Sequence, residues 1–120
     1  MPQLADQQFF ARLAELNEKF AGRLPATLAQ LTALSRRIDP AASAGDTRVA
    51  AAELQAMLHT LAGSAATFGF RGLGHHARLL EQRLRVLTAF DQVAPADWLI
   101  WRAELDAYIA AAERDPKSLN

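Results

Sequence analysis

The chain has 120 residues, 51% of them apolar, with thirteen acidic and thirteen basic side chains and no cysteine. This is the length of one domain with a modest core; the balanced charge lacks the basic excess of a nucleic-acid binder, and without cysteine there is no disulfide framework or thiolate metal site. Only three Val and three Ile stand among many Ala and Leu, which disfavours a sheet and favours helix.

Met1 to Asp6 shows no basic stretch followed by an apolar one, as a secretory leader would. No apolar run approaches the roughly 20 residues of a membrane span. A soluble cytoplasmic monomer, with neither nucleic acid nor membrane as partner, is the expectation. Helices account for nearly all of the chain. The first is predicted over about 5–22, with Phe9, Leu13, Leu16 and Phe20 on one face. A break is expected near Arg23-Leu24, because Pro25 suits the first turn of a new helix. That second helix, about 25–38, presents Leu28, Leu31, Leu34 and Ile38, and Asp39-Pro40 ends it. After a loop from Ala41 to Gly45, Asp46 or Thr47 is expected to cap the third helix with its side-chain oxygen. Gly69 is its predicted left-handed stop. The fourth helix, about 71–88, carries Leu73, Ala77, Leu80, Leu84 and Leu87 at alternating steps of four and three. Pro95 opens the fifth, with Trp98, Trp101, Leu105 and Tyr108 facing in, and the polar tail 115–120 is expected to fray. Short connections imply antiparallel neighbours. The predicted fold is all-α: an antiparallel up-down four-helix bundle with an extra N-terminal helix, its core spanning about 20–114.

One segment stands apart. In the third helix Leu54, Leu58, Leu61, Ala65 and Phe68 form a buried stripe. His59 lies one position, roughly 100°, off that stripe. Its neighbours one turn away are Gln55, Ala62 and Gly63, with Ala66 further along. An imidazole on such bare backbone is exposed and leaves room for another protein.

His59-Thr60-Leu61-Ala62-Gly63-Ser64-Ala65-Ala66-Thr67-Phe68-Gly69-Phe70 resembles the signature of histidine-containing phosphotransfer (HPt) domains of bacterial phosphorelays, which reads roughly His-x-Leu-Lys-Gly-Ser, then small residues and a Gly. Leu73, Ala77, Leu80 and Glu81 match the second helix of that signature. The resemblance spans roughly 20–90 and is most specific over 58–81. It departs from the family at Ala62, where a Lys is usual. The resemblance implies that His59 accepts a phosphoryl group, which needs a neutral, accessible imidazole nitrogen; the ordinary histidine value near 6.5 allows this at cytoplasmic pH. It implies response-regulator receiver domains and a hybrid sensor kinase as partners. No cofactor is implied for the chain itself, since Mg²⁺ and the acidic pocket belong to the receiver.

In a helical hairpin turning near Gly69, His59 lies level with about 79–80 on the next helix. Glu81 and Arg78 then flank it on one stripe, with Gln82 and Arg83 on the other side. Glu81 is placed to accept from the ring Nδ1–H and leave Nε2 free. Arg78 is the candidate for the cation that Ala62 does not supply. Gly63, with Ala62 and Ala66, gives clearance for a docking receiver. Ser64 either bonds back to a helix carbonyl or, as the resemblance allows, assists the site, and Gln55 completes the supporting set. His75 and His76 diverge by roughly 100° and have Leu79 and Leu80 one turn on, so they read as surface residues, not as a metal pair. Two other readings remain: a module that docks receivers or kinases without chemistry, and the histidine-bearing substrate domain of a chemotaxis-type kinase. The chain contains no Gly-rich phosphate loop and no catalytic dyad that would make it an enzyme alone.

Overall fold

The expected break at Pro25 does not occur. In the computed structural model, which describes residues 3–120, α1 runs from Leu4 to Arg36 with Pro25 inside it. An internal proline removes one hydrogen bond and crowds a carbonyl, a cost of about 3 kcal/mol. Against this stands a single unbroken stripe of Phe20, Leu24, Leu28, Leu31 and Leu34, all buried. Each contributes about 1.5–3 kcal/mol by leaving water, and the stripe wins. Pro25 itself points outward. The extra N-terminal helix is therefore the first half of α1. Of its predicted inner face only Phe20 is buried; Leu13 and Leu16 are half-buried, and Phe9 is exposed. The 33 residues of α1 span about 50 Å, and the molecule measures 61 × 25 × 20 Å.

Helix α2 covers Ala44–Thr67, α3 Arg71–Thr88 and α4 Pro95–Arg114. The cap of α2 is Ser43, not Asp46 or Thr47: its hydroxyl accepts from the Asp46 N–H at 3.0 Å. The two expected caps are engaged elsewhere. The Asp46 carboxylate binds Arg37 at 2.8 Å, which holds its carboxyl below the ordinary range. The buried Thr47 hydroxyl accepts from the Asp39 N–H at 3.0 Å. Both contacts fasten the end of α1 to the start of α2.

The four helices form a ring in chain order: α1 packs on α2 and α4, and α3 packs on α2 and α4. The α2–α3 pair is the most intimate. Gly69 turns the chain between them with a φ of 87°, a conformation that a side chain disfavours. Gly74 then lets the backbones meet, since a Cβ there would sit 2.8 Å from the Ala62 carbonyl oxygen and 3.1 Å from the Ala66 nitrogen. Helix α4 holds α3 from the far side. Trp101 Nε1–H donates to the Leu80 carbonyl at 3.0 Å, and the Tyr108 hydroxyl donates to the Leu73 carbonyl at 2.8 Å. Burial pushes the Tyr108 hydroxyl well above its ordinary value.

The tail does not fray. Leu119 packs against the core, and the Lys117 ammonium lies 5.3 Å from the Phe70 ring centroid. The Gly72 N–H donates to Asn120 Oδ1 at 2.7 Å. Helix α3 has no side-chain cap of its own at Phe70. Asn120 satisfies one of the amides that every helix N-terminus leaves free, which is why a polar tail stays docked. Among the described residues no helix is long and apolar enough to cross a membrane.

The α2–α3 contact can be tested at two glycines. Gly74→Ala is expected to lose stability, because forcing a methyl into backbone costs about 1–3 kcal/mol, more than the gain of about 1 kcal/mol from removing a helical glycine. Gly63→Ala enters open space and is expected to gain up to about 1 kcal/mol. Urea unfolding of both variants beside the parent measures this; a stabilised Gly74→Ala would contradict the close approach.

Candidate functional site

Helix α2 buries Leu54, Leu58, Leu61 and Ala65 as one stripe, and Phe68 is half-buried at its end. His59, one step off the stripe, is carried out of the core with 70% of its side chain exposed. It stands at the edge of an open cleft of about 280 Å³ between α2 and α3, lined by His59, Ala62, Gly63, Arg78, Glu81, Gln82 and Arg85. Glu81 reaches it from α3. The Glu81 side chain is only 6% exposed, and its two carboxylate oxygens lie 3.0 and 3.2 Å from His59 Nδ1. A carboxylate can only accept, so Nδ1 is the ring nitrogen that carries the hydrogen. Nε2 has no hydrogen-bond partner among the described residues. The second contact of Glu81 is an ion pair with Arg85, whose Nη2 lies 2.8 Å from Oε1.

This arrangement leaves His59 Nε2 without a hydrogen-bond partner among the described residues, beside an open cleft that Arg78 and Arg85 also line. A family model for the Hpt domain matches residues 7–115.

The chain belongs to the Hpt domain family. No curated protein and no solved structure matches it. Hpt domains serve histidine phosphotransfer in two-component systems, where they interact with receiver domains and kinases. The all-helical bundle is that expected of the family.

Within this Hpt domain the structure brings some of the sequence candidates together and separates others. Glu81 meets His59 as the hairpin register predicts. Arg78 lines the cleft, is exposed, and makes no ion pair among the described residues. Gly63 and Ala66 are exposed, and a Cβ on Gly63 would meet nothing within 4 Å. Ala62 corrects the expectation of a small-residue docking patch: it is buried against α3, because its carbonyl is the contact that Gly74 accommodates. Ser64 lies on the other side of α2. It lines a groove against α1 with Phe20, Arg23, Met57 and Leu61. Five residues along a helix rotate a side chain by about 140°, too far to reach His59. In this part of α2 the hydroxyl that bonds back to a helix carbonyl is that of Thr67, to Gly63 at 3.0 Å. Gln55 is half-buried and outside the cleft lining.

Arg83 turns away and pairs with Glu104 of α4. Gln82 lines the cleft, and Arg85, which the hairpin register did not single out, lines it too and pairs with Glu81. The signal for it was legible: Glu81 and Arg85 are four apart on one helix, with the acid first, the favourable order for such a pair. His75 and His76 are both exposed with rings edge to face. No group of three His, Cys, Asp or Glu among the described residues is placed to hold a metal ion.

The ring of His59 offers a direct readout of this geometry. Glu81→Gln is expected to displace the His59 side-chain resonances in a two-dimensional NMR spectrum. Ser64→Ala and Gln55→Ala are expected to leave them in place. A Ser64 variant that moves them as far as the Glu81 variant would return Ser64 to the site.

Proposed function

We propose that this Hpt domain is a phosphorelay intermediate and that His59 is its phosphoacceptor. The observation that supports this best is the buried carboxylate on Nδ1 beneath an otherwise exposed ring. The Nδ1–H tautomer keeps the lone pair on Nε2, directed toward solvent and an incoming receiver. Nε2 attacks the phosphorus of an aspartyl phosphate in line. The new Nε2–P bond forms as the P–O bond to the aspartate breaks, and the bonding pair leaves with the aspartate carboxylate. Positive charge develops on the imidazole, and the Nδ1–H bond to the Glu81 carboxylate stabilises it. No proton needs to leave Nε2. The reverse sequence passes the phosphoryl group to the carboxylate of a second receiver.

The partners are response-regulator receiver domains and, upstream, a hybrid sensor kinase. The receiver brings Mg²⁺ and its acidic pocket, and this domain acts in the cytoplasm as a monomer. Gly63 and Ala66 admit the receiver surface beside His59. Arg78 supplies the cation that other family members carry as Lys at the position of Ala62. Its side chain is exposed, so its contribution to holding phosphate is modest, about 1 kcal/mol or several-fold in rate.

His59→Gln is expected to abolish phosphoryl acceptance from a phosphorylated receiver and leave helicity and melting unchanged, because the ring lies outside the core. Acid-labile radiolabel on the variant protein would refute the assignment. Absence of label on the parent under any receiver would favour a docking module without chemistry. Gly63→Gln is expected to weaken receiver binding by tenfold or more, the scale of an imposed steric clash of about 1.4 kcal/mol. Isothermal calorimetry checks it, and equal affinity for the two proteins would remove Gly63 from the docking surface.

A further inference from the structure

The site holds two arginines in unlike states. Arg78 is unpaired among the described residues, and Arg85 is tied to Glu81. We propose that Arg85 is a positioning residue: it clamps the Glu81 carboxylate and through it fixes His59 in the Nδ1–H tautomer. The functional consequence rests on His59 as phosphoacceptor; the structural link does not.

The central observation is a shared atom. Glu81 Oε1 accepts from His59 Nδ1–H at 3.0 Å and is ion-paired with Arg85 Nη2 at 2.8 Å. A neutral histidine free in water favours the hydrogen on Nε2, the nitrogen that must attack. Which nitrogen carries the hydrogen is set by the bond that the other makes, so tautomer choice at His59 depends on the carboxylate being present, ionised and correctly turned. Glu81 lies in the α2–α3 seam, and a carboxylate withdrawn from water needs compensation. The neutral imidazole supplies one N–H and no charge. Arg85 supplies the opposite charge, at ion-pair distance from the same oxygen. It also pins one oxygen, which limits rotation of the carboxylate about its last torsion.

No other group offers the same service. From α2 the cleft is lined by His59, Ala62 and Gly63, which carry no second charge, and from α3 by Arg78, Glu81, Gln82 and Arg85. Neither α1 nor α4 contributes to the lining. Arg83, the remaining nearby cation, is held by Glu104. An exposed pair four residues apart on a helix is ordinarily worth little. This one differs because only Arg85, at 58%, is substantially exposed, whereas its partner is buried and bonded to the reacting ring. The two arginines therefore divide the work: Arg85 orders the nucleophile, and Arg78 remains free for the incoming phosphate.

The test uses the whole chain labelled with ¹⁵N, without any phosphoryl donor. Long-range ¹H–¹⁵N spectra, recorded at a pH where the imidazoles are neutral, distinguish the two tautomers of His59 directly. The parent is expected to show Nδ1–H. Arg85→Gln is expected to populate the Nε2–H form substantially, and Arg85→Lys to restore Nδ1–H. Arg78→Gln is expected to leave the tautomer unchanged. In a second arm, phosphoryl acceptance from a phosphorylated receiver is expected to fall about two- to tenfold in Arg85→Gln, the factor that one ordinary hydrogen bond represents, and to recover in Arg85→Lys. An unchanged tautomer ratio in Arg85→Gln, or an equal change in Arg78→Gln, overturns the proposal. A parent protein that shows the Nδ1–H tautomer but accepts no phosphoryl group overturns the phosphoacceptor reading and leaves the role of Arg85 standing.

Discussion

The histidine site depends on how closely α2 and α3 approach. Where the Ala62 carbonyl meets Gly74 there is no room for a Cβ. That contact sets the spacing of the pair, and two turns further along α3 it leaves Glu81 within hydrogen-bond reach of His59. A gap wider by the width of a methyl group would put water between ring and carboxylate. The register is held from the opposite face. Trp101 and Tyr108 of α4 donate to the Leu80 and Leu73 carbonyls, close to the two ends of the Gly74-to-Glu81 stretch, which resists sliding or rotation of α3 against α2.

Buried polar groups are arranged so that few are left without a partner among the described residues. Glu81 has two. Thr47 and Ser35, both buried, are engaged with Asp39 and Asp106 respectively. The first turn of α3, which has no cap from its own sequence, receives Asn120 from the far end of the chain. Closing the bundle in this way leaves the cleft at His59 as a place where an imidazole nitrogen is both exposed and unbonded.

Much of this was legible from residue order. The stripe Leu54, Leu58, Leu61 and Ala65 placed His59 just outside the core, and a helical hairpin turning at Gly69 was enough to bring Glu81 to it. Both inferences rest on the constancy of helical geometry, which needs no knowledge of the other helices. The errors share a different cause. The break at Pro25, the cap at Asp46 or Thr47, the frayed tail and the exposed Ala62 were all judged on local preference. Each was decided by a contact from elsewhere in the chain: the buried stripe that runs through Pro25, Arg37 on Asp46, Asn120 on Gly72, and Gly74 on Ala62. Ser64 failed for a simpler reason. Adjacency in a motif is not adjacency on a helix, and its rotation carries it to the α1 side.

By itself the sequence determined the helical class, the family signature, the exposure of His59 and the hairpin that pairs it with Glu81, because periodicity and turn chemistry act over a few residues. Only the tertiary structure decided that Arg83 is drawn to α4 and that Arg78 is left in the open cleft. It also decided which small residues form open surface and which form the seam. Arg78, Arg83 and Arg85 are alike as residues, but α4 brings Glu104 to Arg83, Glu81 one turn back on α3 pairs with Arg85, and Arg78 lines the open cleft.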